Sequence, residues 1–267
     1  MDKLSLKKLI LNRLDEKIIS NSDGKFSYWI INDLLPKEIA EDIASKFPEE
    51  SILRKRDSIR EYKRVGIDFD SYDPLMENIT YVFHESEIVN KISKITGFKE
   101  MVPDYRLYAG GLSSMSKNSF LNPHLDNSHN DDGSMFRVLN LLYYVSKDWK
   151  FDYGGNLVLF PKGMDDKSIT LHSKFNTLVL METNNESYHG VSKVTNNLPR
   201  RCVSNYYFSN FSTNNSDYNH VTSFFSFKKD SKIKSFKLFL DRSVRKFLSK
   251  PIKSLIKHKN WHKRDLN

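Results

Sequence analysis

The sequence predicts an α+β protein that is mainly β: a sandwich or barrel of short strands, preceded by helices and followed by a basic helical tail. From about residue 103 the chain breaks into short β-rich runs separated by Gly, Asn, Asp, Ser and Pro. That texture belongs to a sandwich or barrel, not to a parallel sheet with crossover helices. Upstream, apolar residues recur at three- and four-residue spacing, the period of a helix with one buried face. From about 232 the same spacing returns on a background of Lys and Arg.

Leu4, Leu11, Leu14 and Ile18 place the first helix over residues 4–19. KFSYWII (25–31) reads as a strand. Pro36 sits at a first-turn position, where its missing N–H removes no intrahelical bond, and opens a helix over about 36–46 with Ile39, Ile43 and Phe47 on one face. Residues 75–96 form another amphipathic helical stretch. The strand runs are YRLYA, FRVLNLLYYV, NLVLF, SITLH, NTLVLM and RCVSNYYF, with Gly154 and Gly155 setting the turn into the third. In the tail Phe236, Leu240, Val244, Phe247 and Leu248 follow the helical rule, and Pro251 kinks or splits the helix. The expected organisation is one domain over 1–227, with helical support in 1–102 and the β core in about 103–212, and a basic amphipathic tail over 228–267.

With 267 residues, 39% of them hydrophobic, the chain can bury one substantial core. A single cysteine, Cys202, excludes an intrachain disulfide and a CxxC zinc site, and reads as a small buried hydrophobe. The N-terminus interrupts its apolar residues with charges and lacks a signal-peptide pattern, and no stretch approaches the roughly 18 apolar residues of a membrane span. The expected location is cytoplasmic. The formal charge of +9 is unevenly placed: residues 228–267 hold 14 Lys/Arg against three acids, which leaves 28 against 30 before them. A slightly acidic body argues against a nucleic-acid substrate, because phosphate contacts require Lys and Arg around the cleft.

In NPHLDNS, His124 and Asp126 are two residues apart. On an extended chain, that spacing points an imidazole and a carboxylate the same way, so both reach one ion. His189, in ESYHGV just after the run NTLVLM, lies where a barrel would return it beside the pair. Two His and one carboxylate form a facial triad that leaves three positions of iron(II) open for a bidentate cosubstrate and dioxygen. A carboxylate-bearing cosubstrate needs an arginine, whose planar guanidinium grips it with two hydrogen bonds. RRCVSNYYF offers two. Alternation puts Arg201, Val203, Asn205 and Tyr207 on one face and Arg200, Cys202, Ser204 and Tyr206 on the other, and does not say which face is inward.

The ordered motifs HLDN, LLYYVSKDW, GGNLVLFP, YHGV and RRCVSNYYF cover about a third of the chain, and they resemble the prolyl 4-hydroxylase-like group of the Fe(II)- and 2-oxoglutarate-dependent dioxygenases. The resemblance implies a double-stranded β-helix (jelly roll, cupin-like) core, with iron held by His124, Asp126 and His189. It implies that the arginine opening the last core strand binds 2-oxoglutarate. Aligning its hydrophobic followers selects Arg201, and the insertion NNLP keeps Arg200 as the alternative. Tyr144, the second tyrosine of the YY pair, and Tyr108 are the further cosubstrate candidates. Asn127, Asn205 and Tyr207 are candidates for touching substrate or supporting the ligands.

The activity so implied is hydroxylation of an unactivated C–H bond, with Fe(II), 2-oxoglutarate and O2, release of succinate and CO2, and ascorbate as a candidate reductant. The retained carboxylate of Asp126 favours hydroxylation over halogenation. Nucleic-acid demethylases of the superfamily carry a second arginine six residues after the cosubstrate one, where this chain has Tyr207. A prolyl or other peptidyl substrate lies nearest to the resemblance, and a glycan or lipid-linked sugar is the competing substrate. A degenerate cupin-like binding module is the non-enzymatic alternative. The tail over 228–267 fits either an anionic membrane surface or packing of Phe236, Phe239, Leu240 and Phe247 on the barrel or on a second subunit.

Overall fold

The computed structural model describes residues 1–16, 18–228 and 230–249, with side chains as far as residue 245. Pro251, with its expected kink, and the side chains of Phe247 and Leu248 lie outside the described residues. The helices are α1 (Lys3–Leu14), α2 (Lys37–Ser45), α3 (Pro74–Tyr81), α4 (Ser86–Thr96) and α5 (Lys232–Ser249). Asp2 caps α1 by accepting from the Ser5 backbone N–H, and Leu6, Ile10 and Leu14 form its buried stripe. Asp73 and Pro74 open α3, and Gly97, at φ 77°, closes α4 in the left-handed conformation a β-carbon disfavours. The stretch expected as one helix over 75–96 is two, joined by a 3-10 turn at Val82–His84. That break turns Phe83 and His84 towards the sheet, where both find partners on its longest strand.

The strands before the core are β1 (Ile19–Asn21), β2 (Tyr28–Ile31), β3 (Arg54–Asp57), β4 (Glu61–Gly66) and β5 (Val102–Pro103). The core strands are β6 (Gly111–Met115), β7 (Phe120–Leu125), β8 (Phe136–Tyr144), β9 (Leu157–Leu159), β10 (Ile169–Leu171), β11 (Thr177–Glu182), β12 (His189–Val191) and β13 (Arg200–Ser209), followed by β14 (Ser223–Phe224). All pairings are antiparallel, in the order β1-β2-β11-β8-β13-β6-β4-β7-β12-β9-β10. The sheet curls on itself into a double-stranded β-helix. One wall is β11-β8-β13-β6, and β7-β12-β9-β10 faces it.

Residues 1–102, expected as helical support around one strand, therefore also supply β1, β3 and β4. YRLYA is a turn, not a strand: Tyr105 is exposed, and Leu107, at φ 47°, donates its N–H to Asp104 O. The first core strand starts instead at Gly111, where φ is 106° and a β-carbon would lie 2.6 Å from Gly66 O, so glycine lets β4 approach. The strand it begins, GLSSM, is too small and polar to show an apolar period.

Two apolar clusters flank the longer wall. Val203 and Tyr207 of β13 join the layer of helices α1–α4, whereas Cys202, fully buried, packs with Tyr144 and Leu157 on the inner face. The strand's alternation thus separates a scaffold face from a face that looks into the barrel. The tail helix α5 packs beside β14 and buries Leu238. Phe236, Phe239, Leu240 and Val244 are exposed, so Phe236 and Phe239, expected to pack on the barrel in one reading, do not. The side of α5 that faces the protein carries Lys234, bonded to Asn122 Oδ1 at 2.9 Å, and Asp241, paired with Arg60 at 3.0 Å.

Candidate active site

β7 and β12 place the metal-binding residues. They pair so that His189 stands directly across from His124, with ring centroids 4.2 Å apart, and Asp126 follows one residue after the end of β7. His124 Nε2 lies 3.4 Å from Asp126 Oδ1, and His189 Nε2 lies 3.5 Å from Asp126 Oδ2. All three are buried, and they are the group of potential metal ligands found among the described residues. Each imidazole is held by its other nitrogen: His124 Nδ1 donates to Asn122 O at 3.0 Å and His189 Nδ1 to Ser187 O at 2.9 Å. That fixes the tautomer with both Nε2 lone pairs converging on the carboxylate, the arrangement a divalent ion requires. Burial, with the nearby His124 adding to it, lowers the pKa of His189 to about 4, so its ring is neutral and ready to ligate at neutral pH.

Asp126 is oriented from β8. Asn140 Nδ2 donates to its Oδ2 at 2.8 Å and the Arg137 guanidinium approaches the same oxygen at 3.1 Å. Arg137 Nε also donates to Asn140 Oδ1 at 2.9 Å and its Nη1 to Asn127 Oδ1 at 3.2 Å, while the guanidinium stacks 3.6 Å from the Tyr206 ring centre. Burial alone would raise the Asp126 carboxyl, but Arg137, followed by His189 and His124, holds it well below the usual carboxylate range. None of Arg137, Asn140 and Tyr206 is evident from spacing. The signal available was an arginine and an asparagine inside the otherwise apolar run FRVLNLLYY.

The triad opens into a cavity of about 1050 Å³ that Arg200, Tyr108, Asn127 and Tyr206 also line. Arg200 is buried, its guanidinium 4.7 Å from the Tyr144 ring centre, and none of the described carboxylates pairs with it. Arg200 Nε and Tyr144 Oη are both buried without a hydrogen-bond partner. Burial pushes the Tyr144 phenol up to about 12, with Arg200 opposing, so its hydroxyl remains a donor. A buried guanidinium with no carboxylate beside it is costly, so an anion reaching Arg200 and the Tyr144 hydroxyl would be stabilised there. Gly155 makes room for the arginine, since a β-carbon there would meet Arg200 Cβ and Cγ at 3.3 and 3.2 Å.

Arg201, expected to bind the cosubstrate, points the other way. Its Nη1 donates to Ala44 O at 3.1 Å in the last turn of α2, and its guanidinium lies 5.4 Å from the Phe47 ring centre. There it complements the negative end of that helix. Asn205 and Tyr207 share its face and are likewise turned from the cavity: Asn205 bonds Thr80 O and His84, and Tyr207 Oη donates to Phe83 O at 2.8 Å. They pin the helices to the sheet. With Arg200 as the inward arginine, the position six residues later is Tyr206, again not an arginine.

The family model described as 2OG-Fe(II) oxygenase superfamily matches residues 110–209, a span that contains the triad, Arg137, Tyr144 and Arg200. That span carries the core of a 2OG-Fe(II) oxygenase. The protein is therefore an oxygenase, with iron(II), 2-oxoglutarate and dioxygen as the implied metal, cosubstrate and oxidant, and the binding-module alternative falls away. The oxygenase shares its fold with a prolyl-4-hydroxylase of Pseudomonas putida, at 14% identity and TM-score 0.52 over 76% of this chain and 98% of that one. A prolyl hydroxylase from Trichoplax adhaerens, solved with a hypoxia inducible factor oxygen degradation domain peptide fragment, matches at 19% identity and TM-score 0.52 over 78% and 90%. A prolyl 4-hydroxylase from Phytophthora capsici matches at 17% and 0.52 over 92% and 76%. A search of the curated proteins by sequence finds no match.

Proposed function

We propose that the oxygenase hydroxylates an unactivated C–H bond of a substrate held in the cavity, with conversion of 2-oxoglutarate to succinate and CO2. Bound iron(II) supplies the activation of dioxygen; the protein holds, orients and excludes water. His124, Asp126 and His189 provide three ligands and leave three positions for cosubstrate and oxygen. Asp126 keeps a carboxylate where a halogenase needs room for halide, which favours hydroxylation. Arg200 takes the far carboxylate of 2-oxoglutarate through two parallel N–H donors, and the Tyr144 hydroxyl donates beside it. Tyr108 and Asn127, on the cavity wall, face the substrate side. Ascorbate is the proposed accessory reductant, on the strength of the sequence resemblance alone.

The carrying observation is the unpaired Arg200 guanidinium buried in the same cavity as the triad. Anaerobic addition of iron(II) and then 2-oxoglutarate to the pure protein gives a weak visible charge-transfer band, and Arg200→Gln shifts its half-saturation to far higher 2-oxoglutarate. Absence of the band in iron-loaded wild-type protein overturns the reading. For the substrate, a prolyl or other peptidyl group is supported by the resemblance of the core motifs, with a glycan or lipid-linked sugar as the alternative. Product analysis with proline-containing peptides separates the two.

A second reading concerns where the enzyme works. Ile233, Phe236, Leu240 and Val244 form an exposed apolar stripe along α5, and the segment 228–267 is strongly basic. This supports peripheral attachment to an anionic membrane surface, where each nearby Lys or Arg contributes about 1 kcal/mol. No helix among the described residues is long and apolar enough to cross a membrane. Co-sedimentation with anionic vesicles tests it: wild type pellets and Phe236→Ser/Leu240→Ser stays in solution, whereas equal pelleting removes the idea.

A further inference from the structure

The chain before residue 228 is slightly acidic, yet the cavity is not. Seven Lys/Arg side chains line it against four carboxylates. Iron(II) and the 2-oxoglutarate dianion cancel one another, so filling the site leaves the excess of the cavity wall in place, and with Arg200, Arg137 and Asp126 set aside five cations still face three carboxylates. Arg200 and Arg137 are accounted for by cosubstrate and by Asp126. The remaining excess sits at the mouth, on the β3–β4 hairpin and on α5.

Two guanidiniums there are supplied by distant parts of the chain. Arg60, just before β4, is held by Asp241 of α5, with Nε at 3.2 Å and Nη2 at 3.0 Å from Oδ1. Arg245, one turn further along α5, lines the same cavity and has no ion-pair partner among the described residues. Asp241 is one carboxylate beside two guanidiniums. Glu61, the other acid at this corner, is taken by Lys63 at 3.0 Å and Arg56 at 3.6 Å. Partial burial, then repulsion from Arg60, lowers the pKa of Arg245, with Asp241 and Glu61 opposing. A cation placed this way, half-buried and facing a cavity, is stabilised by an anion that enters.

We propose that the substrate carries a phosphate-class oxyanion that seats between Arg60 and Arg245, so that α5 completes the substrate site. This rests on the oxygenase reading and names the substrate's chemical class within it. A single carboxylate is satisfied by one arginine fork, whereas a phosphate presents enough oxygens for two. The Arg60–Asp241 pair ties α5, and with it Arg245, to the start of the hairpin. The oxyanion can belong to a soluble phosphate ester or to a lipid headgroup, since both offer the same oxygens.

The test uses the full chain loaded anaerobically with iron(II) and 2-oxoglutarate, titrated calorimetrically with glycerol 3-phosphate and with inorganic phosphate. One site per chain is expected, weakened about tenfold or more by Arg245→Gln and by Arg60→Gln, and little changed by Lys237→Gln, which removes an exposed charge from the same helix. The charge-transfer band stays intact in all three variants, which separates this proposal from the oxygenase reading. Vesicles of phosphatidylcholine, with or without phosphatidic acid, form the second arm. An Arg245-dependent gain with phosphatidic acid assigns the oxyanion to a lipid headgroup, and Arg245-dependent binding of the soluble ester alone assigns it to a soluble substrate. No phosphate binding, equal affinity in Arg245→Gln, or phosphate that displaces 2-oxoglutarate overturns the proposal.

Discussion

The Arg137 guanidinium lies 3.1 Å from Oδ2 of Asp126, the same oxygen that accepts from Asn140 at 2.8 Å. A carboxylate tied by two donors arrives at the metal already oriented and already ionised. Arg137→Leu removes both effects, and Asn140→Ala removes the first. Each is expected to weaken iron(II) binding by about 10- to 100-fold, the usual cost of losing a group that supports a ligand. Arg137→Leu should also move the onset of metal binding to higher pH, because the Asp126 carboxyl loses the main charge holding it low. Anaerobic metal titrations across pH check this, and an unchanged onset would show that Arg137 acts by shape alone.

Arg200 and Arg201 are adjacent and point opposite ways, one into the cavity and one to the end of α2. Arg200→Gln is expected to raise the dissociation constant for 2-oxoglutarate about 100-fold while leaving the fold intact, since it removes a charge-assisted bidentate pair. Arg201→Gln loses the bond to Ala44 O and the contact with Phe47, and so costs about 1–2 kcal/mol of stability with cosubstrate affinity unchanged. Paired thermal melts and 2-oxoglutarate titrations separate the two. The assignment fails if Arg201→Gln is the variant that loses cosubstrate.

The same two residues mark how far the sequence could be read. His124, Asp126 and His189 were legible because two-residue spacing on a strand and a returning neighbour strand are local and topological facts, and β7 and β12 pair with the two imidazoles opposite each other. Alternation also separated Arg200, Ser204 and Tyr206 from Arg201, Asn205 and Tyr207. Which set looks inward depends on where helices α1–α4 lie, and no feature of β13 itself records that. Arg137 was hidden by a different cause. The register between β13 and β8 slips between Tyr207 and Phe208, so that Leu139 and Arg137 are successive partners and simple alternation fails there.

His84 should make the oxygenase acid-sensitive. Its Nε2 donates to Asn205 Oδ1 at 2.7 Å, as Asn205 Nδ2 donates elsewhere, and its Nδ1 is buried without a partner. Burial lowers its pKa to about 4. A histidine with a depressed folded pKa contributes stability that is whole above the unfolded value near 6.5 and is lost as pH falls towards 4. The full loss across that window is on the order of 3 kcal/mol. His84→Gln keeps a donor for Asn205 and cannot be protonated, so its stability should fall less steeply between pH 6.5 and 4 than that of the wild type. Denaturant unfolding of the metal-free proteins at several pH values measures both slopes, and identical slopes would exclude His84 as the titrating group.

The tail helix inverts the usual rule of amphipathic packing. Its apolar stripe was legible at helical spacing, but α5 turns that stripe outward: Phe236 is 61% exposed, while Leu238, on the charged side, is 1% exposed. The docked face is held by Leu238 together with polar ties, Lys234 to Asn122 and Asp241 to Arg60. Leu238→Ala should therefore release α5, at a cost of about 2 kcal/mol or more, because it empties the apolar anchor of that face. Phe236→Ala should change stability by less than about 0.5 kcal/mol, as an exposed substitution does. Hydrogen exchange across residues 232–245 distinguishes the two, with faster exchange in Leu238→Ala alone. If Phe236→Ala loosens the helix equally, the stripe is already covered in the free protein, and its availability to a membrane falls with that result.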